Sequence, residues 1–289
     1  MFTGTFTAIV TPFNHDGSVD FGKLRDLIEW QAASGVAGIV PVGTTGESPT
    51  LDAEEHIEVI RVSVAASRGR LQVIAGTGAN STSEAIDLTR RVLDLGCQGT
   101  LQVTPYYNKP NPEGLFRHFS AVADLGLPVV LYNVPGRSGR DIPVETIARL
   151  VKHPQIVAVK EAGGSVERVS AILNACTTTV LSGDDVLTVP MISVGAQGVI
   201  SVASNVAPRA VSDMVRHALR GDFAAARQAH QQLYPLFRDL FLDTNPIPVK
   251  AALAMMGKIE ELYRLPLCEP SEKVRAQLRT TLTAQGLLS

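Results

Sequence analysis

Short apolar runs rich in β-branched residues recur from one end of the chain to the other. TFTAIVTPF, GIVPVG, LQVIAGTG, GTLQVTPYY, PVVLYNV, IVAVKEA, TVLSGDD and GVISVASN each read as a strand. Between them stand amphipathic stretches such as KLRDLIEWQAASG, SEAIDLTRRVLDLG, VETIARLVKHP and ERVSAILNACT, whose apolar residues fall at helical spacing. Several carry boundary marks. Asp52 and Glu55 have the spacing of a capping box, Gly35 and Gly96 suit helix C-terminal caps, and Pro143 and Pro208 suit first turns.

Strand and helix in strict alternation mean a parallel sheet, because parallel neighbours need long crossover connections. Eight such units, ending near Asp222, match a (β/α)8 TIM barrel over residues 1–222. An open doubly wound sheet is the competitor, but it usually has fewer strands and a glycine fingerprint after its first. GTGANS at 76–81 follows strand three and has serine where the third glycine belongs, so it is discounted as a dinucleotide site. Beyond Asp222 the strands stop. FAAARQAHQQLYPLFRDLF, PIPVKAALAMMG and SEKVRAQLRTTLTAQG read as three helices over residues 223–289. They hold too little core for a separate domain and are expected to pack on the barrel or on a neighbouring subunit.

Composition narrows the class. The 289 residues are 45% hydrophobic and 19% charged, with a net charge of −2, as in an ordinary globular protein. That balance excludes a nucleic-acid or polybasic membrane role, which needs clustered Lys and Arg. Cys97, Cys176 and Cys268 are odd in number and far apart, which points to reduced packing residues. The six histidines show no metal-binding spacing, so no metal is expected. The N-terminal stretch lacks the basic start and long apolar core of a signal peptide, and no apolar run is long enough to span a bilayer. A cytoplasmic protein is expected.

Active sites of such barrels lie at the carboxyl ends of the strands. Strand six ends in Lys160. Alternation places Lys160 on the face of Ile156 and Ala158, with Val157 and Val159 opposite. If that face lines the barrel, desolvation favours the free amine, the form that attacks a carbonyl to give a Schiff base. The plainer alternative is a lysine that snorkels to water. Tyr132 ends the neighbouring strand, close enough to shuttle protons to and from an imine, although core tyrosines are common. GTTG after strand two offers backbone N–H groups and hydroxyls for a carboxylate, or merely a turn. Arg137, in a glycine-flanked loop, offers a planar fork for a second carboxylate, or a solvated charge. Together they describe a site for a 2-oxo acid.

GIVPVGTTGESPTLDAEE and YNVPGRSGRDI…IVAVKEA resemble the two signatures of the pyruvate-dependent class I aldolase superfamily of lyases and synthases. VTPYYNKP, GTGAN, LSGDD, GVISV and NPIPVK extend the likeness over nearly the whole chain. The resemblance implies that Lys160 forms an imine with pyruvate, that Thr44 and Thr45 grip the carboxylate region, and that the backbone at Ile200 lines the same pocket. It implies Tyr132, Thr44 and Tyr107 as a proton relay, with Tyr107 supplied by a neighbouring subunit, and a homotetramer built as a dimer of dimers. Arg137 matches the arginine that holds the carboxylate of L-aspartate 4-semialdehyde. This favours the synthase branch over relatives acting on sialic acid or 2-keto-3-deoxy sugar acids, and over a non-catalytic oxo-acid sensor. No cofactor is implied. An inhibitory L-lysine pocket would use Ser48, Pro49, His56, Asn80, Glu84 and Tyr106. There Pro49 departs from the usual alanine, and Ala53 replaces a histidine that can occur nearby.

Overall fold

The computed structural model describes residues 2–288. Its strands are β1 (Gly4–Thr7), β2 (Gly38–Ile39), β3 (Gln72–Gly76), β4 (Gly99–Val103), β5 (Val129–Asn133), β6 (Ile156–Glu161), β7 (Thr179–Ser182) and β8 (Gly198–Ser201). They run parallel in sequence order and close into a barrel, β1 pairing β8 from Gly4↔Gly198 to Thr7↔Ser201. Glycine is needed at the seam: a Cβ on Gly198, at φ +152°, would lie 2.0 Å from the Gly4 carbonyl oxygen.

Around the barrel run α1 (Phe21–Ala33), α2 (Ala53–Ser67), α3 (Thr82–Val92), α4 (Pro112–Ala123), the short α5 (Pro135–Ser138), α6 (Val144–Leu150), α7 (Val166–Ala175), α8 (Thr188–Ser193) and α9 (Pro208–Leu219). The capping box at Asp52 and Glu55 is formed, and Gly35 and Gly96 take the left-handed conformations of helix ends. Pro208 opens α9 at its first position, whereas Pro143 stands one residue ahead of α6, at its N-cap. The chain then continues through α10 (Phe223–Asp239), α11 (Ile247–Met255) and α12 (Glu272–Ala284). α10 packs on α8 and α9, and α12 packs on α10 and α11, so the extension shares the barrel's body. Among the described residues no helix is long and apolar enough to cross a membrane.

Two apolar layers hold this together. Phe6, Ile74, Val130, Ala158, Leu181 and Ile200 fill the barrel's interior, and the other faces of the strands meet the helices. One sequence expectation fails here. Ile156 packs outward and Val157 packs against the interior layer. The register between β5 and β6 jumps from Val129↔Ile156 to Val130↔Ala158, so one extra residue in β6 reverses the alternation below Ala158. Lys160 keeps its place on Ala158's face because the irregularity lies upstream of both.

His118, on α4, is 4% exposed, and its Nδ1 lies 2.9 Å from Thr82 Oγ1. Burial pushes its pKa down from 6.5 to about 4. The folded chain therefore keeps this imidazole neutral at pH values where the unfolded chain protonates it. Stability is full above the unfolded value and falls as the pH drops towards the folded one. From pH 7 to pH 5 this one group removes about 2 kcal/mol. In urea titrations at the two pH values, His118→Gln is expected to lose that share of the acid sensitivity; equal sensitivity in both proteins would contradict it.

Candidate active site

Tyr132 and Lys160 are register partners at the carboxyl ends of β5 and β6. Lys160 is 6% exposed, and its Nζ sits 4.0 Å from the centre of the Tyr132 ring. No carboxylate among the described residues lies within salt-bridge distance of that nitrogen. A network on the outer side braces the pair of strand ends. Glu161, fully buried, accepts hydrogen bonds from Asn133 Nδ2 at 3.0 Å, from the Gly163 N–H at 2.7 Å and from Arg168 Nε at 2.9 Å. Asn133 Oδ1 in turn accepts from the Ile142 N–H at 2.9 Å, tying down the loop that carries Arg137.

The loop after β2 folds Thr44–Gly46 into one 3₁₀ turn, closed by the Gly46 N–H to Gly43 and the Glu47 N–H to Thr44. The first N–H groups of such a turn have no carbonyl upstream within it, so those of Thr44 and Thr45 are donors at the barrel mouth. Val42 and Glu47 flank the turn at φ +50° and +55°. This is a genuine outlier for a β-branched valine.

These elements enclose a cavity of about 500 Å³ lined by Thr44, Thr45, Tyr132, Arg137, Lys160 and Asn245, with apolar walls. A smaller cavity of about 210 Å³ shares Thr44, Tyr132 and Arg137, and adds Ser48, Pro49 and Tyr106. A cleft of about 620 Å³ beside Lys23, Glu261 and Arg275 is lined by no strand residue and holds no comparable chemistry. Among the described residues no cluster of His, Cys, Asp or Glu is placed to hold a metal ion.

Lys160, Tyr132, Thr44, Thr45 and Arg137 thus meet in one cavity. The Ile200 side chain packs in the interior layer below it, and Val202, two residues on, reaches the wall. Tyr107 stands outside, 90% exposed at φ +73°. Of the six positions read as a lysine pocket, Ser48, Pro49 and Tyr106 share the smaller cavity. Glu84 and the Asn80 backbone lie close enough to perturb Tyr106, whose pKa is raised first by burial and then by the Glu84 charge. His56 is buried, with Nε2 2.7 Å from the Gly76 carbonyl. Sequence reasoning missed Asn245, and it missed Phe237 of α10 and Phe241 just beyond that helix, which wall the mouth. The NPIPVK motif was the available signal for Asn245.

A lysine and a tyrosine side by side at the carboxyl end of a (β/α)8 barrel mark the class of lysine-dependent aldolases. Comparison with known proteins narrows this. The chain belongs to the dihydrodipicolinate synthetase family, whose model matches residues 1–285. It is 53% identical over 291 aligned residues to the 4-hydroxy-tetrahydrodipicolinate synthase of Nitratidesulfovibrio vulgaris, with 99% of each chain covered. Among solved structures it superposes on the chloride-inhibited dihydrodipicolinate synthase of Acinetobacter baumannii complexed with pyruvate, at 45% identity, TM-score 0.98 and full coverage of both chains. It also matches the DHDPS of Cyanidioschyzon merolae with lysine bound, at 43% identity, TM-score 0.96 and 99% coverage of each.

Proposed function

We propose that this chain condenses pyruvate with L-aspartate 4-semialdehyde to 4-hydroxy-tetrahydrodipicolinate through an imine on Lys160, opening diaminopimelate and lysine synthesis in the cytoplasm. The placement of a buried, unpaired amine against the Tyr132 ring carries the reading, and relatives about half identical over their full length bear that activity in their names.

The Lys160 amine adds to the pyruvate carbonyl, and water leaves to give the imine. The imine draws electrons from the methyl group, which loses a proton to become an enamine. The enamine carbon bonds to the aldehyde, whose oxygen takes up a proton. The semialdehyde's own amine then attacks the imine carbon, closing the ring and releasing Lys160, so that one water is lost overall. Tyr132 and Thr44 border the cavity where these protons move, and the amides and hydroxyls of Thr44 and Thr45 suit the pyruvate carboxylate. Tyr107, exposed and outside its own cavity, suits a relay completed by a second subunit, which makes a dimer the smallest competent unit; the homotetramer of two such dimers is what the family resemblance implies. An L-lysine pocket at Ser48, Pro49, Asn80, Glu84 and Tyr106 has narrower support: Glu84 beside Tyr106 suits an ammonium ligand, while His56 is engaged with Gly76.

Arg137 lines both cavities and is steadied by donating from Nη2 to the Asn245 carbonyl at 3.0 Å. In a panel of aldehydes offered with pyruvate, the wild type is expected to consume pyruvate fastest with aspartate semialdehyde. Arg137→Ala should retain the borohydride-trapped pyruvate adduct yet lose semialdehyde kcat/KM by about 10- to 100-fold, the worth of a charged hydrogen-bonded contact. Preference for a polyhydroxylated aldehyde would favour a sugar-acid aldolase instead.

A further inference from the structure

The C-terminal extension touches the pyruvate end of the cavity in ways the reaction leaves unused. Asn245 donates from Nδ2 to Thr45 Oγ1 at 3.0 Å. Five residues on, in α11, Lys250 donates from Nζ to Glu47 Oε1, both side chains having no exposed surface. Glu47 directly follows the Thr44–Gly46 turn, and its Oε2 accepts from the Arg264 backbone N–H at 3.3 Å. The Phe13 ring lies 4.2 Å from Lys250 Nζ and 4.5 Å from the Arg264 guanidinium carbon, closing the pair off from water.

A buried ion pair is a poor device for stability, since apolar side chains of similar volume often serve as well or better. The adjoining backbone gives it a different use. Val42 and Glu47 hold left-handed conformations on either side of Thr44 and Thr45, and such backbone persists only where its surroundings over-determine it. The hydrogen bonds within the turn are those of any short turn. Two contacts grip the Glu47 carboxylate from outside, the Arg264 backbone N–H and Lys250, and only Lys250 brings a charge.

We propose that Lys250 is a positioning residue for pyruvate capture: through Glu47 it holds the Thr44–Thr45 turn in the conformation that receives the carboxylate. Lys250 is not among the residues lining the cavity. This rests on the imine reading given above. Burial holds the Lys250 pKa below the ordinary lysine value, with the Glu47 charge opposing that shift; the contact itself ties together two parts of the chain 203 residues apart.

The test compares wild type, Lys250→Met and the double variant Glu47→Gln/Lys250→Met, whose neutral side chains leave no unpaired buried charge. Each is followed by thermal melting, by borohydride trapping of the pyruvate adduct and by steady-state kinetics. In the folded variants KM for pyruvate is expected to rise, and adduct formation to slow, by about 10- to 100-fold, the effect of a small misplacement of a binding group. KM for the semialdehyde should move much less. Wild-type adduct rates in a folded variant would overturn the inference, as would failure of both variants to fold at 25 °C, which would assign the pair to the fold alone. An absent adduct in the wild type would overturn the reaction beneath it and the inference with it.

Discussion

Lys160→Ala is expected to abolish condensation, with kcat down by about 10⁴-fold or more, as when a covalent nucleophile is removed. Borohydride with pyruvate should then label nothing. The protein should still fold, because Lys160 forms no ion pair with any described residue and its strand is held by the Glu161 network beside it. Lys160→Arg sharpens the result: arginine keeps the positive charge but has no free amine to attack a carbonyl, so it should be as inactive as alanine. Retained turnover in the arginine variant would show that the position supplies charge, and the imine mechanism would fail.

Tyr132→Phe separates the ring from the hydroxyl. The ring 4.0 Å from Lys160 Nζ remains, so the packing of the strand ends is kept and only the proton carrier is lost. Loss of a positioned acid–base group costs about 10²- to 10⁴-fold, and kcat should fall within that range. The pyruvate adduct should still form, more slowly, since water can carry protons during a longer reaction. Unchanged kcat in the phenylalanine variant would remove Tyr132 from the relay.

The barrel was legible in the sequence because alternating strands and amphipathic helices allow few other closures, and Lys160 stood out as a charge ending an apolar run. The irregularity in β6 was hidden. A strand buried on both faces shows no polar alternation, so nothing in IVAVKE marks where its faces exchange. Val202 was hidden by a related limit: the resemblance singles out the backbone at Ile200 in GVISV, and only the packed wall shows that Val202 reaches the cavity. Asn245 and the Lys250–Glu47 pair lay beyond local reading. Each contact joins residues 200 or more positions apart, and no periodicity reports a partner at that distance.

That separation orders events in a growing polypeptide. All eight strands, Lys160 included, leave the ribosome before Asn245 and Lys250 do. A nascent chain thus carries Lys160 for some time before the residues that contact Thr45 and Glu47 from the extension are made. On the role proposed for Lys250, capture of the oxo acid awaits the extension, because those residues lie there.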